Sequence, residues 1–297
     1  MDDSTNDDRP IVVGVDHSDS AREAAEWAAD LAAVWRSPLH LLTVIRGATN
    51  DPLPTSAPGW LTELRDATER AGARSSIVDI ATGDTVDVVA DRARGARMLV
   101  LGSYGEGAWS GMLAGSVALA LLARVDCPIA VVRGATQRTP PPRGGPVVVG
   151  VDGSPAGRAA LLLAADLATS LGSRLVAVHA WTDIAFGVDG AARRSTENQA
   201  ALAAAASAVL DAELAAVLPA HPDLPLQRVV VLDTPLHALL ATAEGARLVV
   251  VGHRGATIGS GMGLGSTSQA LVEFVPCPVV VTGHETDTAS AGQPAPP

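Results

Sequence analysis

Met98-Leu99-Val100-Leu101 runs into Gly102-Ser103-Tyr104-Gly105, and Leu248-Val249-Val250-Val251 runs into Gly252-His253-Arg254-Gly255. Each tetrapeptide is apolar and bounded by glycine, the mark of a strand buried on both faces. After nine intervening residues each copy resumes with Gly-Ser, at Gly115-Ser116 and Gly265-Ser266. A glycine loop that leaves a parallel strand and opens a helix lets backbone N–H groups gather round an anion without Cβ interference. The helix N-terminus adds partial positive charge. Phosphate is the guest such a loop predicts. Glycines also serve as plain turns, but two copies with one spacing at equivalent places of a repeat favour the phosphate reading.

Outward from these loops the chain repeats. Ile11-Val12-Val13-Gly14-Val15-Asp16 matches Val147-Val148-Val149-Gly150-Val151-Asp152, so each half opens on a buried strand ending in aspartate. Helices follow, with caps expected at Ser18 to Ser20 and at Ser154 before Pro155. Ala24, Trp27, Ala28, Leu31 and Trp35 form an apolar stripe at helical spacing, repeated by Ala160, Leu163, Ala164, Leu167 and Leu171; both are core faces. Further strands are predicted at 39–45 and 175–181, at 76–80 and 228–232, and at 128–132 and 278–282. Strands alternating with helices indicate βαβ units. The fold class is therefore α/β, with two tandem doubly wound parallel five-stranded sheets, Rossmann-like in form.

The expected boundaries are an acidic disordered N-terminus at 1–10, a first domain at 11–133, a proline-rich linker at 134–146, a second domain at 147–282 and a disordered tail at 283–297. The first strands align at an offset of 136 residues and the glycine loops at 150, so the second half carries 14 extra residues between. They lie around 190–219, where an alanine-rich run predicts a long helix; the first half has a proline-broken loop at 50–58 before a shorter one.

The chain of 297 residues carries a formal net charge of −11, which argues against nucleic-acid or membrane-surface partners. It has no lysine, so no Walker-type loop exists, and backbone, hydroxyl, arginine or metal must hold any phosphate. Cys127 and Cys277 precede proline at matching positions and read as core residues rather than a disulfide or metal pair. The N-terminus lacks a signal region and no apolar stretch is expected to reach the length of a membrane span. A cytoplasmic location is the expectation.

In open α/β sheets ligands sit beyond the carboxyl ends of the strands, where strand order reverses. If the first and fourth strands of a half are neighbours, Asp16 or Asp152 shares one cleft with a glycine loop. A carboxylate is misplaced beside phosphates, but it can accept hydrogen bonds from a ribose hydroxyl or an adenine amine at the other end. The implied ligand is a nucleotide; helix capping is the competing role for both aspartates.

The strand ending in Val-Asp-x-Ser, the Gly-x-x-Gly loop with its later Gly-Ser, and the Cys-Pro before a final Val-rich strand resemble the universal stress protein family in its ATP-binding branch. The resemblance spans both halves, and the tandem arrangement is similar to the form common in mycobacteria and other actinobacteria. It implies an ATP-binding regulator of stress or dormancy, with nucleotide, with or without Mg2+, in each domain and association through the last strand. By matched position, Gly14 and Gly150 would let the backbone approach the nucleotide, and Asp16 and Asp152 would contact base or ribose. Val44 and Ala180 would wall the adenine. Gly102, Ser103, Tyr104, Gly105, Gly115, Ser116 and Val117 would form the first phosphate site. Gly252, His253, Arg254, Gly255, Gly265, Ser266, Thr267 and Ser268 would form the second. Ser116 and Ser266 also stand where an N-cap belongs.

The two loops differ. Family members often carry a basic residue or histidine where Tyr104 stands, so the first site departs from the pattern and has Glu106 nearby. The second, with Arg254, is expected to hold triphosphate more tightly. An ATPase or nucleotidyl-transfer enzyme is the alternative, and a cyclic AMP binder a third reading. His17 and His253 lie near the expected clefts, but neither is duplicated in the other half, which weighs against catalysis. Asp84 and Asp233 are expected to cap the next helices. The last strands, which the resemblance implies are sheet edges, would pair between halves or between chains, giving an intrachain pseudo-dimer and a homodimer.

Overall fold

A computed structural model describes residues 8–47, 54, 56–105, 115–136, 138–182, 184–186, 192–194, 199–255 and 264–283. The first half runs β1 (Ile11–Gly14), α1 (Asp19–Trp35), β2 (Leu39–Ile45), α2 (Gly59–Arg70), β3 (Ser76–Thr82), α3 (Thr85–Arg92), β4 (Met98–Gly102), α4 (Ser116–Leu122) and β5 (Ile129–Val132). The second runs β6 (Val147–Gly150), α5 (Pro155–Ser170), β7 (Leu175–Trp181), β8 (Ile184–Phe186), β9 (Ala192–Arg194) and α6 (Gln199–Val217). It continues through β10 (Leu226–Leu232), α7 (Pro235–Thr242), β11 (Leu248–Val251), α8 (Ser266–Phe274) and β12 (Val279–Val281).

Each half is a parallel five-stranded sheet, and the two join into one ten-stranded sheet of order β10-β7-β6-β11-β12-β5-β4-β1-β2-β3. The join is antiparallel, with Val279 opposite Val131, Val280 opposite Ala130 and Val281 opposite Ile129. The last strands thus satisfy each other's edges within one chain, which closes the free hydrogen-bonding rows an exposed edge would present. Their side chains are fully or almost fully buried, each valine or isoleucine contributing about 1.5–3 kcal/mol.

Because helices cover both faces, the apolar residues of each strand feed two cores. One lies beneath α1, α2, α5 and α6 and crosses the seam through Ala130, Val132 and Val280. The other lies beneath α3, α4, α7 and α8 and crosses through Ile129, Val131, Val279 and Val281. Polar contacts also bridge the halves. Trp35 Nε1 donates to Ser170 Oγ at 3.1 Å, so this tryptophan is a packing residue. Arg133, just past β5, donates to the carbonyls of Val272 and Glu273 at the end of α8. Cys127 and Cys277 are buried in the second core, and burial pushes their thiols up to about 11 and about 12.

Several local expectations need correction. Ser18 and Ser154 do cap α1 and α5, accepting from the N–H groups of Ala21 and Gly157. Ser116 and Ser266, however, are the first helical residues of α4 and α8; Gly115 and Gly265 occupy the caps, without a side-chain bond. Asp84 caps α3, but in the second half Thr234 caps α7, and Asp233 instead binds the Thr234 N–H and His237. The helices start in register, Thr85 and Pro235 being 150 residues apart, so Thr234 matches Asp84 and Asp233 stands one residue before the cap, with Pro235 suited to the first helical position.

The extra residues of the second half form the β8–β9 hairpin and lengthen α6. The expectation that no stretch reaches membrane-span length fails here. The 22 residues Gln199–Ala220 contain an 18-residue window of mean hydropathy 1.8 and are long and apolar enough, by length and composition alone, to cross a membrane. Alanine was the weak signal: α6 presents Leu210, Leu214 and Val217 to the core and mostly alanine elsewhere. The segment 134–146 folds back on α1, where Arg143 pairs with Asp30 at 3.0 Å and Glu26 at 3.5 Å. The tail expected at 283–297, the N-terminal segment before residue 8, most of the loop at 50–58 and Glu106 fall outside the described residues.

Candidate functional site

Strand order reverses at β1 and again at β6. β1 pairs with β2 on one side and β4 on the other, and β6 pairs likewise with β7 and β11. The first-strand aspartate and the glycine loop therefore meet in both halves. A cleft opens at each reversal, about 650 Å³ in the first half and about 450 Å³ in the second, both within the range of small-ligand sites.

Gly14, Asp16, Val44, Gly102, Tyr104, Gly105, Gly115, Ser116 and Val117 line the first cleft. Gly150, Asp152, Ala180, Gly252, Arg254, Gly255, Gly265, Ser266, Thr267 and Ser268 line the second. Ser103 and His253 do not. Ser103 is buried, and its N–H donates to Ser20 Oγ at 3.0 Å. His253 is buried beneath its loop and turns across the seam, where Nε2 meets the carbonyl of Leu122 at 2.8 Å. A carbonyl only accepts, so that nitrogen carries the proton. Of the histidines weighed for catalysis, His17 packs edge-on against Trp60, ring centroids 5.6 Å apart.

Neither aspartate caps the following helix, since Ser18 and Ser154 do; each aspartate instead holds its capping serine. Oδ1 of Asp16 accepts from the N–H and hydroxyl of Ser18, at 3.0 and 2.5 Å, and Asp152 does the same for Ser154 at 3.0 and 2.6 Å. This turn orients the carboxylate, so the other oxygen faces the glycine loop. A Cβ added at Gly105 would stand 2.8 Å from Asp16 Oδ2, and at Gly255 2.9 Å from Asp152 Oδ2.

The glycines divide by what demands them. At Gly102 a Cβ would lie 2.9 Å from the Ser20 backbone, and at Gly252 2.8 Å from that of Ala156, so these two let α1 and α5 pack against the strand ends. At Gly14 it would strike Leu101 at 2.7 Å. Gly115 is different: its nearest neighbour would be 3.6 Å away, an ordinary contact, and its φ of −70° suits any residue. Neither protein packing nor backbone conformation requires glycine there, yet it faces the cleft. Beside it Ser116, uncapped at the start of α4, presents an exposed hydroxyl and N–H at the positive end of the helix. A phosphate oxygen fits this cradle, and the apolar floor of Leu42, Val44 and Val89 fits a flat base.

Sequence reasoning missed several lining residues. Arg46, one residue past β2, lines the first cleft, and Thr85 and Pro235, at the starts of α3 and α7, line the two walls. Arg46 had a signal in its position after the second strand, since that loop opens at the same sheet end. His179 also lines the second cleft, its Nδ1 bonded to the Val151 carbonyl at 2.7 Å. The phenol of Tyr104 is held above its usual pKa by burial and by the nearby carboxylates of Glu23 and Asp19.

Comparison with known proteins agrees with this architecture. The model of the universal stress protein family matches residues 9–133 and 145–283. Universal stress protein Rv2623 of Mycobacterium tuberculosis is 33% identical over 94% of this chain and 97% of its own length. Universal stress protein Rv2005c of the same organism is 34% identical over 91% and 96%. Among solved structures, a universal stress protein from Archaeoglobus fulgidus superposes with a TM-score of 0.65 at 21% identity, covering 94% of this chain and 99% of that one.

Proposed function

The chain belongs to the universal stress protein family, and from that premise we propose that it is a regulatory nucleotide-binding protein holding an adenine nucleotide, ATP in the first instance, in its paired clefts. The observation that carries this is the cradle at Gly115 and Ser116, where a glycine unneeded by the protein and a serine unneeded as a cap both line the cleft. Gly265 and Ser266 repeat it, with 3.4 Å to the nearest atom. Base and ribose would lie over the apolar floor with Asp16 or Asp152 accepting from them, and the phosphates would lie at the start of α4 or α8. Any Mg2+ would be held chiefly by the phosphates and water. Regulation, rather than turnover, is favoured because Asp16 and Asp152 are each held by a capping serine and His253 is committed to the seam. With β5 and β12 paired inside one chain, a homodimer would use another face.

The test is to denature freshly purified protein and identify the released nucleotide by chromatography and mass spectrometry, counting moles per chain. ATP at one or two per chain supports the proposal. Mostly ADP, with hydrolysis in a turnover assay, moves the reading to an ATPase. No nucleotide, together with no binding on titration, reduces the glycine loops to turns.

A further inference from the structure

The two clefts share their geometry but not their charge. In the first, the arginine among the described lining residues is Arg46, at the end where β2 stops and Val44 walls the cleft. In the second it is Arg254, within the glycine loop beside Gly255. The equivalent of Arg254 is Tyr104, and the residue that follows β7 as Arg46 follows β2 is Thr182. Each cleft thus carries its arginine at the opposite end.

Helix α1 sharpens the contrast. Glu23 and Asp19, on its first turns, lie close enough to Tyr104 to act on its phenol, and Glu23 is itself half-buried among Asp19 and Glu26. At the matching positions of α5 stand Ala159 and Pro155, which carry no charge. The phosphate end of the first cleft is therefore acidic, whereas that of the second holds a guanidinium. Size does not exclude a triphosphate from the first cleft, which is the larger at about 650 Å³ against about 450 Å³, so charge is what distinguishes them.

Resting on the adenine-nucleotide reading above, we infer that the clefts sort nucleotides by phosphate charge. The second takes the triphosphate tail, and the first takes an adenine nucleotide with a single phosphate, drawn toward Arg46. A triphosphate in the first cleft would lay several negative charges beside Glu23 and Asp19 without an arginine in the loop. In the second, Arg254 supplies a charge-assisted partner suited to phosphate. A single phosphate at Gly115 and Ser116 sets the least charge beside Glu23 and Asp19, and Arg46 lines the same cleft to offset it.

The test is titration calorimetry of the full chain, stripped of nucleotide, with ATP and with AMP as probes. The native chain should bind one ATP tightly, and AMP should still bind when that site is saturated. Arg254→Tyr should weaken ATP binding by roughly 10- to 100-fold, the range of one charge-assisted hydrogen bond. Tyr104→Arg should add a second ATP site. Arg46→Ala should weaken AMP binding and leave ATP binding unchanged. Should Tyr104→Arg fail to fold, the double variant Asp19→Asn, Glu23→Gln makes the same test by removing charge from α1 alone. Two ATP sites of equal affinity in the native chain, or no gain in ATP binding from either change in the first cleft, overturns the sorting and leaves the nucleotide reading standing. If neither probe binds anywhere, the nucleotide reading itself fails.

Discussion

Replacing Gly102 and Gly115 by alanine, one at a time, separates a glycine that the fold needs from one that a ligand needs. At position 102 the new methyl would lie 2.6 Å from Ser20 Oγ and 2.9 Å from the Ser20 backbone carbon and oxygen. Backbone cannot swing aside as a side-chain tip can, so α1 or the end of β4 must shift, an overpacking strain of about 1–3 kcal/mol. At roughly 2–4 °C per kcal/mol for domains of 150–250 residues, Tm should fall by several degrees. At position 115 the methyl meets nothing closer than 3.6 Å and φ is −70°, so the cost should be nil, or alanine should stabilise by about 0.4–1 kcal/mol through the unfolded chain. The same methyl would occupy space assigned to a phosphate oxygen. Gly115→Ala should therefore keep Tm without nucleotide while losing most of the Tm rise that AMP, the nucleotide assigned to this cleft, produces, scored by thermal unfolding with and without AMP. A Gly115→Ala chain destabilised as much as Gly102→Ala, or one whose nucleotide-induced rise matches the native chain, would refute the division.

His253→Ala removes the bond to the Leu122 carbonyl and leaves that acceptor buried, so urea unfolding should show a loss of about 1–3 kcal/mol. Combining it with Arg133→Ala, which uncaps α8, should lower stability further; an unchanged midpoint in both variants would show that the polar seam contributes nothing. Arg158 binds the nearly buried Glu213 through two bonds of 2.8 and 2.7 Å, tying α5 to α6, and holds that carboxyl below its usual pKa. A depressed folded pKa means the stabilisation is present above the ordinary glutamate value and is lost as pH falls through the folded value. Arg158→Ala should accordingly lower Tm at pH 7, and the gap to the native chain should narrow in acid below about pH 4; a gap independent of pH would count against the pair. The thiols at about 11 and about 12 stay protonated at pH 8, so Ellman's reagent should find neither cysteine in the folded chain and both after denaturation. Rapid labelling of the native protein would contradict their burial.

Local pattern was enough to read much of this molecule. Runs such as Val147-Val148-Val149 are apolar because both sheet faces are covered, so the strands, their alternation with helices and the α/β class were legible without coordinates. The repeat located both halves, and the glycine spacing located both clefts. Decisions that depend on distances between distant residues lay beyond that reach. Only packing shows that Gly102 answers to Ser20 while Gly115 has room for a methyl, since the two look alike in sequence. His253 belongs to the same motif as Arg254, yet its ring reaches 131 positions back along the chain to Leu122, a direction no local pattern encodes. The merging of two five-stranded sheets into one is of the same kind. Every strand edge carries identical backbone donors and acceptors, so sequence could only require that β5 and β12 be covered, and tertiary structure decided that they cover each other.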